Sequence, residues 1–153
     1  MEHSSPRETL AAMEEGYARF WKELPLRRGT ALGEVMSNLL RPDGNPKVNE
    51  LVSSFAQALE GWVGELAGQL AALPPEEADE WAGRALEQML FLPPPEERGA
   101  ELYLAAFEGF ALPLVPFLSP EHRAAAAKRY GKRNPPRRML PNQKKLLGAL
   151  SGR

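Results

Sequence analysis

Residues 46–73, PKVNELVSSFAQALEGWVGELAGQLAAL, constrain this chain more than any other stretch. Apolar residues recur at Val48, Leu51, Val52, Phe55, Leu59, Trp62, Leu66, Leu70 and Leu73. Steps of three and four residues place them on one side of an α-helix, because about 3.6 residues complete a turn. At 1.5 Å per residue such a helix would run roughly 42 Å. It cannot bury its own stripe, so other elements must lie along it. The rest of the sequence says what kind. There is no Ile, and only five Val and two Thr among 153 residues. β-branched residues are the ones that fit a pleated, half-buried surface, so the sequence predicts no extensive sheet. The good helix formers Ala, Leu, Glu and Arg carry the chain instead.

The flanking stretches supply the partners. Over residues 6–24, Ser5 caps a helix, Pro6 suits its first turn and Glu8 sits near the positive end of its dipole. Leu10, Met13, Tyr17, Phe20 and Leu24 form a core-facing stripe with Trp21 beside it. After Pro25 a short helix is expected near 30–40, then a turn-rich RPDGNP at 41–46. Three later helices open alike, at LPPEE, PPPEE and SPEH, with proline ahead of acidic first-turn residues. The helix from 75 to about 92 carries Ala78, Trp81, Ala82, Ala85, Leu86, Met89 and Leu90 on its apolar side, and that from 95 to 112 carries Leu102, Tyr103, Ala106, Phe107 and Phe110. The run ALPLVPFL at 111–118 is expected to bend at its prolines and to bury Leu114, Val115, Phe117 and Leu118. Gly64 and Gly68 share a face of the long helix and cost about 1 kcal/mol each relative to Ala. They are read as a place where another helix or a partner chain approaches closely, in preference to a flexible kink, because the apolar stripe runs through in phase. Short connections make consecutive helices antiparallel neighbours. The expectation is all-α: a compact up-and-down helical bundle of about five to seven helices, the long one at its centre, in one domain.

The net charge of −1 conceals a split. Residues 1–121 hold 9 basic and 20 acidic residues, a balance of −11, whereas residues 122–153 hold 10 basic and no acidic ones. Such asymmetry suggests an interaction segment. The sequence therefore divides into an acidic helical bundle, 1–121, and a basic C-terminal arm, 122–153, either part of the same domain or attached to it. The arm reads as a helix from Ser119 to Tyr130 ended by Gly131, a Pro-rich extended KRNPPRR at 132–138, and a short helix over 140–150. That last helix is marginal alone, so its apolar edge, Leu146, Leu147 and Leu150, is expected to dock on a partner or another surface.

Phosphate backbones suit the arm. Neutralising them releases counterions, and arginine's fork matches phosphate oxygens. Arg123, Lys128, Arg129, Lys132, Arg133, Arg137, Arg138, Lys144 and Lys145 supply the charge, and Tyr130 a ring for base stacking. No nucleic-acid-reading motif is visible, so contacts should be backbone-led. The expected function is a non-enzymatic nucleic-acid-associated protein, a small helical subunit of a nucleoprotein assembly. The alternative is an adaptor or homo-oligomer whose arm grips an acidic protein surface, its own body included. A membrane coat is disfavoured by the acidic body.

Little points to an enzyme, a cofactor or a metal. There is no Cys, and only His3 and His122. No E-x-x-H pair, phosphate-binding glycine loop or G-x-S-x-G elbow occurs. Glu76, Glu77, Asp79, Glu80, Glu96, Glu97 and Glu101 read as helix-start and solvent-facing charges. The longest apolar run, 110–118, is too short to span a bilayer, and the N-terminus has no apolar signal core. A cytoplasmic location is expected.

Overall fold

The computed structural model describes residues 5–23, 46–91, 107–134 and 139–152. They form α1 (Pro6–Glu23), α2 (Pro46–Ala71), α3 (Pro75–Leu86) running into a π-helical turn (Glu87–Phe91), a 3₁₀ helix (Glu108–Phe117), α4 (Pro120–Arg133) and α5 (Pro141–Leu150). No strand occurs among the described residues, as the scarcity of β-branched side chains predicts. The chain is an all-α helical bundle. The helix expected near 30–40, the 41–45 turn, the first part of the helix expected over 95–112 and most of the Pro-rich linker lie outside the described residues.

α1 and α2 pair along the stripes that periodicity picks out. Met13, Tyr17 and Phe20 are buried against Phe55, Leu59, Val63, Leu66 and Leu70. The seam is aromatic at one end. Phe20 stacks on Phe55 at 4.7 Å, Tyr17 meets Phe55 edge-on at 4.9 Å, and Phe107 adds edge contacts to Phe55 at 4.9 Å and Phe20 at 5.3 Å. Each such pair is worth about 0.5–1.5 kcal/mol beyond its buried area. A polar tie crosses the seam, the Thr9 hydroxyl lying 2.9 Å from Gln69 Oε1. Ser5 caps α1 as expected, accepting the Glu8 N–H at 3.3 Å.

The close-approach glycine is Gly16. A Cβ there would fall 2.3 Å from Trp62 Cη2, so the indole lies directly on the α1 backbone. Gly64 and Gly68 do the opposite: both are exposed, and a Cβ at either would meet no atom within 4 Å. The expected close packing at that pair is therefore absent among the described residues. The face they share with each other points away from the α1 seam.

The proline-containing segment does not bend. It winds into a ten-residue 3₁₀ helix, although such helices seldom exceed three or four residues. Three residues per turn explain the tolerance. Pro113 and Pro116 are three apart, so both fall on one edge, and that edge is exposed. Glu108, Ala111 and Leu114 share a buried edge, and Val115 and Leu118 are buried on the third. Phe117 is only half-buried. Proline's fixed φ suits a 3₁₀ helix, and its missing N–H removes a hydrogen bond only on the watery side. This short helix, as much as the long α2, organises the bundle: it touches α2, α3, the π-helical turn and α5.

α4 starts as its sequence dictates, with the Ser119 hydroxyl accepting the His122 N–H at 3.2 Å. It does not stop at Gly131 but continues to Arg133. Asn134 ends it, its backbone N–H and its side-chain amide both donating to the Tyr130 carbonyl, at 3.0 and 3.1 Å. No helix among the described residues is long and apolar enough to cross a membrane.

Candidate nucleic-acid interface

The two described helices of the basic segment are packed on the bundle, not free. α5 packs on the 3₁₀ helix and on α4, and a Cβ on Gly109 would lie only 3.0 Å from Asn142 Cβ. Leu146 and Leu150 are fully buried in the common core and Leu147 is half-buried against it. Leu146 and Leu150 are therefore not a partner-binding edge. A ten-residue helix needs a surface to fold on, and this one finds it on its own chain.

Tyr130 also points inward. Its ring is 0% exposed and its hydroxyl donates to Glu108 Oε2, so no base can stack on it. Gln143 Nε2 donates to the same oxygen at 3.0 Å. Gln143 Oε1 in turn accepts the Leu140 N–H at 2.9 Å, bracing the start of α5. Glu108 thus joins the 3₁₀ helix, α4 and α5 at one buried carboxylate. Burial pushes that carboxyl above the usual range, while Gln143, Tyr130 and the nearby Arg133 pull it back. Burial and the Glu108 charge both push the Tyr130 and Tyr17 hydroxyls up. Tyr17 Oη is buried without a hydrogen-bond partner among the described residues. Sequence reasoning missed Glu108, although a signal was present: it is the lone charge in the apolar run 107–118.

On the outer side of α4, the arginines grip the π-helical turn. Arg129 bonds Glu87 through both nitrogens, at 2.6 and 3.0 Å, and lays its guanidinium 4.1 Å from the Phe91 ring centre. Arg133 donates to the Leu90 carbonyl, and Arg123 Nη2 reaches the Leu118 carbonyl at 3.3 Å. The Arg129–Glu87 pair is exposed at both ends, where solvent screening leaves such a pair little net stabilisation. Asp79, expected to face solvent as a helix-start charge, instead ties α3 to the turn before α4. It accepts the Ser119 N–H at 2.9 Å and lies 2.7 Å from His122 Nδ1. Burial works to raise its carboxyl, but the Ser119 amide and His122 outweigh it and hold the group below its ordinary value.

Among the described residues of the basic segment, four cations remain uncommitted. Lys128 and Lys132 are exposed one turn apart on α4, and Lys144 and Lys145 are exposed on α5. None has an ion-pair partner among the described residues. Because α4 packs on α5, the fold mounts all four on one pair of helices. Arg137 and Arg138 lie outside the described residues. No group of three or more Asp, Glu or His side chains among the described residues is placed to hold a metal ion. No protein-family model, curated protein or solved structure matches the chain.

Proposed function

We propose that this is a non-enzymatic, nucleic-acid-associated binding protein, a helical subunit of a nucleoprotein assembly, that contacts phosphate backbones through α4 and α5. The observation that carries the reading is the set Lys128, Lys132, Lys144 and Lys145, exposed and unpaired among the described residues. They stand in a segment with ten basic and no acidic residues. Lysines so placed gain most from a polyanion, because neutralising phosphates frees condensed counterions. Arg137 and Arg138 add charge between the two helices in sequence. Lysine ammonium groups recognise phosphate without reading bases, so sequence preference should be weak.

The test replaces all four lysines with Ala and follows fluorescence anisotropy of labelled nucleic acid across salt. Affinity at low salt should fall about 10-fold or more, while the melting temperature stays unchanged because the four side chains are exposed. Wild-type protein that binds no nucleic acid at low salt overturns the reading.

A second reading, an acidic protein surface or a second copy of this chain as partner, draws on Arg129, which already clasps a carboxylate together with an aromatic face. Size-exclusion mass at low and high salt separates the two. A charge-held oligomer dissociates as salt screens exposed charges beyond about 8–10 Å.

A further inference from the structure

We infer that the nucleic acid this surface takes is a duplex gripped by its backbones, not a single strand; the inference rests on the function proposed above. Sites for single strands combine cations with flat faces on which bases stack, each stacked base contributing about 1–3 kcal/mol. The basic segment 122–153 has two rings, the imidazole of His122, held 2.7 Å from Asp79, and the phenol of Tyr130. Tyr130 is the larger face. It is fully buried, with its hydroxyl on Glu108. The neighbouring ring of Phe91 is covered by Arg129 at 4.1 Å. Guanidinium planes can also stack on bases, but Arg129 has its fork on Glu87 and its face on Phe91, and Arg133 is bonded to the Leu90 carbonyl.

Among the described residues of the segment, what stays exposed and without an ion pair is lysine, a point charge without a plane. A surface of point charges discriminates by phosphate density. A duplex offers one charge per about 1.7 Å of axis, against roughly half that density along one strand. The cations are also carried on two packed helices rather than on a loose tail. Fixed cations suit a stiff rod, whereas a flexible strand must lose conformational entropy to match them. DNA and RNA duplexes share this chemistry.

The experiment compares four labelled probes of equal length by anisotropy: a DNA duplex, an RNA duplex, and an unstructured single strand of each. At least one duplex should bind about tenfold tighter than its single strand, with a log-affinity against log-salt slope of about −3.6 if four phosphates are neutralised. The two duplexes report which nucleic acid is preferred. The four-lysine variant should lose that duplex affinity. Single strands that bind as tightly as duplexes, or duplex affinity that survives loss of the four lysines, overturn the inference while leaving nucleic-acid binding intact. No binding of any probe at low salt overturns the proposed function itself.

Discussion

Between α1 and α2 the contact is a row of rings: Tyr17, Phe20 and Phe55, joined by Phe107, each with another ring centre of the set within 5.3 Å, and Trp62 laid on Gly16. Where α4 and α5 meet the 3₁₀ helix, the centre is one carboxylate, Glu108, with Tyr130 and Gln143 donating to it. The first kind of contact is non-directional and shared over many atoms, so the loss of any one leaves the others in place. The second is directional and concentrated. A buried polar network strengthens its members when satisfied and penalises each of them when one is removed. The difference follows from composition. α4 buries only Tyr130 among its residues, and its Ala-rich, basic sequence has no large apolar stripe to seat by area.

The comparison can be tested at three depths. The largest effect should come from Glu108→Ala, which leaves the buried Tyr130 hydroxyl without an acceptor and the Gln143 amide with only Asn134 Oδ1, 3.4 Å away. Unsatisfied groups of this kind cost about 1–3 kcal/mol each, so a loss of about 3 kcal/mol is expected in chemical denaturation. A midpoint that does not move would mean that apolar area alone seats α4 and α5. Next, the same Gly→Ala change made at two positions should have opposite signs. At Gly16 the new methyl collides with Trp62, and overpacking typically costs about 1–3 kcal/mol. At Gly64, where space is open, better helix propensity should stabilise by up to about 1 kcal/mol. Thermal melts of the two variants check this, and stabilisation by both would show that the indole yields freely.

The smallest effect concerns pH. Asp79's carboxyl is held below its ordinary value, so the stability it adds is present above that ordinary value and is lost as pH falls through the depressed one. Glu108 works the other way: its carboxyl is raised, so its ionisation is a cost at neutral pH that acid relieves. Wild type should therefore gain a little stability on mild acidification and lose it in stronger acid. Asp79→Asn should flatten that acid loss while costing less than about 1 kcal/mol at neutral pH. Melting temperatures measured across the acid range decide it; an unchanged acid limb removes Asp79 as its cause.

These contrasts also mark how far the sequence could be read. The buried faces of α1, α2 and α3 were legible because helical periodicity is a local property of the chain. Met13, Tyr17, Phe20, Phe55, Leu59, Leu66 and Leu70 all fall where spacing puts them. Spacing puts Trp62 in the stripe, but its neighbour Val63 takes the buried position while the indole spreads over Gly16. That close approach depends on two distant segments and leaves no local pattern. The basic segment was legible as charge but not as geometry. Composition locates ten cations yet does not say that Tyr130, Leu146 and Leu150 turn inward, because their partner Glu108 and the 3₁₀ edge lie earlier in the chain. The rule that prolines bend a helix holds for α-helices, and the three-residue winding of 108–117 obeys a different one.

That winding bears on how the segment's length can change. In a helix of three residues per turn, removing or adding one residue rotates everything beyond it by about 120°. Pro113 and Pro116 would then swing off the solvent edge and Leu114 off the buried one. A change of three residues restores the register and shifts the axis by only about 6 Å at 2.0 Å per residue. Residues 108–117 thus act as a ruler graduated in triplets: insertions and deletions there are compatible with this core in multiples of three, and disruptive in any other number.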